Sequence, residues 1–143
     1  MANNRAALID MARRHALLEA NMDLAGTLAT MEAPYFYEAW PLGLRMEGLA
    51  NTRRYYQYHF ETLRPRIIGR DKVAEWVGDD GLVFEQYLHI RMENGSVEKF
   101  RFMAVLALGE NRVTGERIYA SERFFGLLFG PLLETAFKPV TPP

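Results

Sequence analysis

Two periodicities divide the chain. Up to about residue 64, apolar positions recur every three to four residues, as in Leu8, Met11, His15, Leu18 and Met22. From 66 to 125 they tend to alternate, most cleanly in the series Phe100, Phe102, Ala104, Leu106. The first stripe predicts a helix over 5–20, ended by Asn21. Asp23 then caps a second helix, Leu24 to Ala29. Thr30 to Tyr37 reads as a short strand interrupted by Pro34, and 38–48 as a loop holding Trp40, Pro41 and Gly43. Gly48 to Arg64 predicts a third helix, stopped by Pro65. Its inward face is Leu49, Thr52, Tyr56, His59 or Phe60, and Leu63.

The alternating region is punctuated by Asp79-Asp80-Gly81, Asn94-Gly95 and Gly109-Glu110-Asn111. The runs between these turns are about twice the usual strand of ~5–6 residues. Long strands twist and curl. With helices ahead of them, the expected architecture is α+β: a cone-shaped, curved antiparallel sheet wrapped around the N-terminal helices, with a pocket inside. The expected domain is single and spans 1–143, with its core at about 5–130. The apolar residues from Phe124 to Leu133 should pack over an end of the cone or across a partner, and the Pro-rich tail at 138–143 should be loose.

Register decides which side chains meet. A two-residue loop at Asn94-Gly95 pairs Glu93 with Ser96. His89 then faces Phe100, Tyr87 faces Phe102 and Glu85 faces Ala104, all on the inner face. A two-residue loop at Glu110-Asn111 adds Arg117, Tyr119 and Ser121 to those rows. A loop at Asp80-Gly81 sets Trp76 beside Glu85. The opposite face would carry Phe84, Leu88, Ile90, Met103 and Val105, enough apolar surface to predict a homodimer through the outer sheet face.

Composition narrows the function classes. The net charge is −1 and no basic stripe is present, which argues against nucleic acid. The absence of cysteine removes disulfides and thiolate chemistry and suits a cytoplasmic location. No signal peptide is visible at the start, and the greasiest run, Phe124 to Leu133, is too short and too broken by glycine and proline to span a membrane. No phosphate loop, dinucleotide fingerprint or metal-ligand spacing occurs, so neither a cofactor nor a metal is expected.

The candidate chemistry lies on the expected inner face. Glu85 among apolar neighbours would have a raised proton affinity and could act as a general base, or it could form an ion pair with Arg117. His89 could move a proton. Tyr87 and Tyr119 could donate to a developing oxyanion or simply pack. Trp76, Phe102, Ser121, His15, Tyr56 and His59 complete the expected wall, although a histidine on an apolar helix stripe is more commonly a satisfied core residue.

His15-Ala16-Leu17-Leu18-Glu19-Ala20-Asn21-Met22-Asp23-Leu24, Gly48 with Tyr55-Tyr56, and Gly115-Glu116-Arg117-Ile118-Tyr119-Ala120-Ser121 carry a family resemblance. The chain resembles the nuclear-transport-factor-2-like α+β cones, and among them the SnoaL-like polyketide cyclases. The resemblance implies a cavity for a small hydrophobic, cyclic carbonyl or hydroxyl compound. It also implies cofactor-free acid/base chemistry of isomerase, cyclase or dehydratase type. Those cyclases carry an aspartate two residues after the tyrosine of the last strand, where this chain has Ser121. The alternative expectation is a non-catalytic ligand-binding or dimerisation module of the same fold.

Overall fold

The computed structural model describes residues 2–143; Met1, part of the expected 1–143 span, lies outside the described residues. Helix α1 (Ala2–Ala20) is followed by α2 (Leu24–Ala29), strands β1 (Met31–Trp40) and β2 (Leu44–Glu47), and α3 (Leu49–Thr62). Strands β3 (Ile67–Val77), β4 (Gly81–Arg91), β5 (Val97–Leu108) and β6 (Val113–Tyr119) form the meander. Helices α4 (Glu122–Phe129) and α5 (Leu132–Thr135) and the short strand β7 (Lys138–Pro139) end the chain. The strands form one open, curved sheet in the order β3-β4-β5-β6-β1-β2-β7. All neighbours are antiparallel except β1 and β6.

The helix boundaries follow the local signals. Asp23 Oδ1 accepts the Gly26 N–H at 2.8 Å, which ties down an otherwise unpaired donor of α2. Helix α3 buries Thr52, Tyr55, Tyr56 and His59 on one face. The expected loop at 38–48 is instead the end of β1 and all of β2. Phe36 to Ala39 pair with Leu44 to Glu47, and Tyr37, Ala39 and Met46 are fully buried.

All three meander registers differ from the simplest turn reading. Around Asn94-Gly95 the loop has three residues. Gly95 N–H donates to Met92 O at 2.9 Å, Met92 N–H donates to Ser96 O at 2.8 Å, and Gly95 has φ +84°. Asn94 Oδ1 accepts the Ser96 N–H at 2.9 Å, which fixes that turn. Glu85 therefore pairs with Met103, Tyr87 with Arg101 and His89 with Lys99. The one-residue slip reverses the faces of β4. Leu82, Phe84, Leu88 and Ile90 turn inward, where each apolar side chain contributes roughly 1.5–3 kcal/mol on burial. The other parity would desolvate the Glu85 carboxylate instead. The outer face thus loses Phe84, Leu88 and Ile90, most of the apolar surface from which a homodimer was expected.

Between β5 and β6 the two-residue turn is as expected, with Leu108 opposite Val113. A bulge at Thr114 then shifts the pairing, so that Ala107 meets Gly115 and Leu106 meets Glu116. Glu116 and Ile118 point inward, and Arg117 and Tyr119 outward. Before β4, Val77 pairs with Leu82 and Trp76 with Val83 rather than with Glu85.

The apolar tail closes the cone. Phe124 stacks on Phe102 with ring centroids 5.2 Å apart, and Phe129 packs 5.0 Å from Tyr55 and 4.7 Å from Phe137. Phe124, Phe125 and Phe129 are at most 1% exposed. Replacing Phe124 with Ala should cost about 3–5 kcal/mol in chemical denaturation. Gly115 lies so close to β1 that an added Cβ would sit 2.0 Å from Phe36 O. Gly115→Ala should therefore destabilise by more than about 2 kcal/mol, because β1 and β6 must part. An unchanged melting temperature would show that the bulge is not held by that contact.

Candidate functional site

Helices α1 and α3 and the inward residues of β3 to β6 enclose a cavity. The volume open to the centre of a water-sized sphere is about 80 Å³. Its apolar walls include Phe84, Leu88, Phe102, Leu106, Ile118 and Phe124. Set into them are His15 and Glu19 from α1, Tyr55 and His59 from α3, Arg70 from β3, Gln86 from β4 and Glu116 from β6.

Glu19 is held between two histidines. Its carboxylate lies 3.6 Å from His15 Nε2 and 3.5 Å from His59 Nε2, with about 23% of the side chain open to solvent. Burial pushes its pKa up. The hydrogen bond and charge of His59, then the charges of His15 and Arg70, outweigh that, so it lies below the usual carboxylate value. Glu116 is 8% exposed and makes no side-chain hydrogen bond among the described residues. Burial, reinforced by the charge of Glu19, holds its pKa well above the ordinary value. The pKa values of two carboxyls in the same cavity are thus shifted in opposite directions.

Behind Glu19 runs a directed chain of hydrogen bonds. Thr30 Oγ1 donates to Thr27 O at 2.6 Å, so its oxygen accepts from His15 Nδ1 at 2.8 Å. In the neutral imidazole, His15 Nε2 carries a lone pair, which accepts from the Tyr56 hydroxyl at 3.0 Å. Tyr56 in turn accepts from Tyr37. Burial lowers the pKa of His15, opposed by Glu19, and burial raises the pKa values of Tyr37, Tyr55 and Tyr56 well above their usual range. His59 stacks on Tyr55 with the rings 16° from parallel. Its Nδ1 has no partner among the described residues, and the tautomer protonated on Nε2 aims that proton at Glu19.

Of the residues expected at the site, His15, His59 and Phe102 line the cavity, and Tyr56 stands directly behind it. The others lie elsewhere. Glu85 is on the convex face, bonded to Arg101 rather than Arg117, with Arg101 Nε donating at 2.9 Å. Arg101 also donates to the Tyr87 hydroxyl at 3.2 Å. His89 lies 2.7 Å from Asp71 on the same face, and Lys99 bonds the same carboxylate oxygen at 3.0 Å. Tyr119 and Trp76 are 42% and 51% exposed. Ser121 caps α4, its hydroxyl accepting the Phe124 N–H at 3.2 Å. Arg117 lines a shallow outer depression. The one-residue shifts at Gly95 and Thr114 account for Glu85, Tyr87, His89, Arg117 and Tyr119 together.

Sequence reasoning missed Glu19, Arg70 and Glu116. Glu19 follows His15 by one helical turn and so shares its face. Glu116 follows a strand glycine, a common mark of a bulge. Arg70 carried no such signal.

No family model and no curated protein matches the sequence. Solved structures do match the fold. A Burkholderia pseudomallei protein of unknown function, described as nuclear-transport-factor-2-like, is 14% identical with a TM-score of 0.64, over 87% of this chain and 98% of its own. A Catenulispora acidiphila protein with a ketosteroid-isomerase-like fold, solved in complex with trimethylamine, is 11% identical with a TM-score of 0.63, over 84% and 92%. A de novo designed protein with a curved β-sheet is 10% identical with a TM-score of 0.64, over 87% and 93%. At these identities the likeness is one of fold alone. The chain has the nuclear-transport-factor-2-like α+β fold, with helices against an open curved sheet.

Proposed function

We propose that the cavity binds a small, mostly apolar carbonyl or hydroxyl compound of single-ring size, and that Glu19 and Glu116 serve it as base and acid. The observation that carries this reading is a pair of carboxyls lining one cavity in unlike surroundings, Glu19 between two histidines and Glu116 without a side-chain partner among the described residues, with pKa values shifted in opposite directions. The Glu19 carboxylate takes a proton from the carbon next to the carbonyl. The electron pair of that C–H bond moves into the enolate, whose oxygen accepts a hydrogen bond from the protonated Glu116. Returning the proton to another carbon isomerises the compound; expelling a β-hydroxyl as water dehydrates it. The small cavity argues against polycyclic substrates. Glu19→Gln should slow deuterium uptake by a single-ring β,γ-unsaturated ketone in D₂O by about 10²-fold or more, with binding little changed. Equal rates in both proteins would remove Glu19 as the base. Tight binding with no exchange in the wild type would favour a non-catalytic binding module.

The protonation of Glu116 also has a stability signature. Its folded pKa is raised, so the folded chain keeps a proton that the unfolded chain loses above about 4.3. Stability contributed by this group is complete below that value and declines as pH rises toward the folded pKa. Glu116→Gln should therefore stabilise the protein at pH 7, with the gain vanishing near pH 4. Denaturant midpoints across that range check the sign.

A further inference from the structure

The cavity continues outward. A groove of about 300 Å³ between α1, β3 and β4 shares Ala16, Arg70, Phe84 and Gln86 with it. The acidic groups of this mouth already have partners. Glu75 accepts from Lys72 at 2.9 Å and from Arg13 at 3.3 Å, and Glu85 is bonded to Arg101. Arg70 belongs to both the cavity and the groove and has no hydrogen-bond or ion-pair partner among the described residues. It feels Glu19 through space, and burial against the wall lowers its pKa. Arg70 is exposed at the mouth, so its guanidinium is open to a ligand entering from solvent, and its planar fork fits a carboxylate.

Building on the function proposed above, we infer that the ligand is a small organic acid. Its carboxylate lies in the mouth against Arg70, its ring occupies the apolar cavity, and its far polar end meets Glu116. A monoanion suits the site better than a dianion, because Glu19 and Glu85 stand nearby and only Arg70 is unpaired. Lys72 and Arg13 add long-range attraction even though both are engaged with Glu75.

The test compares 4-oxocyclohexanecarboxylate with its uncharged isostere, 4-oxocyclohexanecarboxamide, by calorimetry or NMR titration of the full chain at pH 7. The wild type should bind the acid about tenfold or more tighter than the amide, and in Arg70→Gln that ratio should fall to about one. Arg70→Lys should restore part of it. Equal affinity for acid and amide in the wild type would overturn the inference while leaving the cavity reading intact. So would an acid preference that survives Arg70→Gln. Binding of neither compound would remove both readings.

Discussion

The contact of Gly115 with the Phe36 carbonyl sets much of the inner surface. It lets β6 run parallel to β1 at a distance no other residue would permit. With Thr114 bulged out beside it, the strand changes parity, and Glu116 rather than Arg117 enters the cone. The opposite parity would place the Arg117 guanidinium where the Glu116 carboxyl now lines the cavity with Glu19. The acid–base asymmetry of the cavity thus depends on one strand irregularity.

That asymmetry is sustained by neighbours rather than by the carboxyls themselves. Two nearby glutamates in an apolar enclosure cannot both ionise cheaply. Glu19 keeps its charge because two imidazoles and Arg70 surround it and its side chain reaches the solvent side. Glu116 has no such company, and its pKa is raised. The difference is one of position: α1 and α3 bring histidines to one side of the cavity, while β5 and β6 line the other with Leu106 and Ile118.

Much of the architecture was legible because it follows from local chemistry. The Asp23 cap, the stop at Pro65 and the inward series Phe100, Phe102, Ala104, Leu106 stand as read; on α3, Thr52, Tyr56, His59 and Leu63 are buried as expected, whereas Leu49 is exposed and Tyr55 is buried. The site was less legible because a strand face depends on single-residue counts. Asn94-Gly95 admits both a two-residue and a three-residue loop, and the choice between them reverses β4. The competing signal lay in β4 itself, where Leu82, Phe84, Leu88 and Ile90 share one parity and Glu85, Tyr87 and His89 the other. Weighing four apolar burials against one buried carboxylate would have selected the observed face. The bulge at Thr114 has only the strand glycine at 115 to announce it, a weaker signal, since the bulge depends on the path of β1 alongside.

The chain from Tyr37 through Tyr56 and His15 to Thr30 explains why so polar a group survives at the centre of the core. Each hydroxyl and ring nitrogen along it has a partner, so its burial leaves little desolvation cost uncompensated. With His15 neutral, the direction of the chain is set from its Thr27 carbonyl end. The Glu19 carboxylate lies 3.5 Å from His59 Nε2 and 3.6 Å from His15 Nε2, so the buried network ends beside a carboxylate that faces both the cavity and the solvent side.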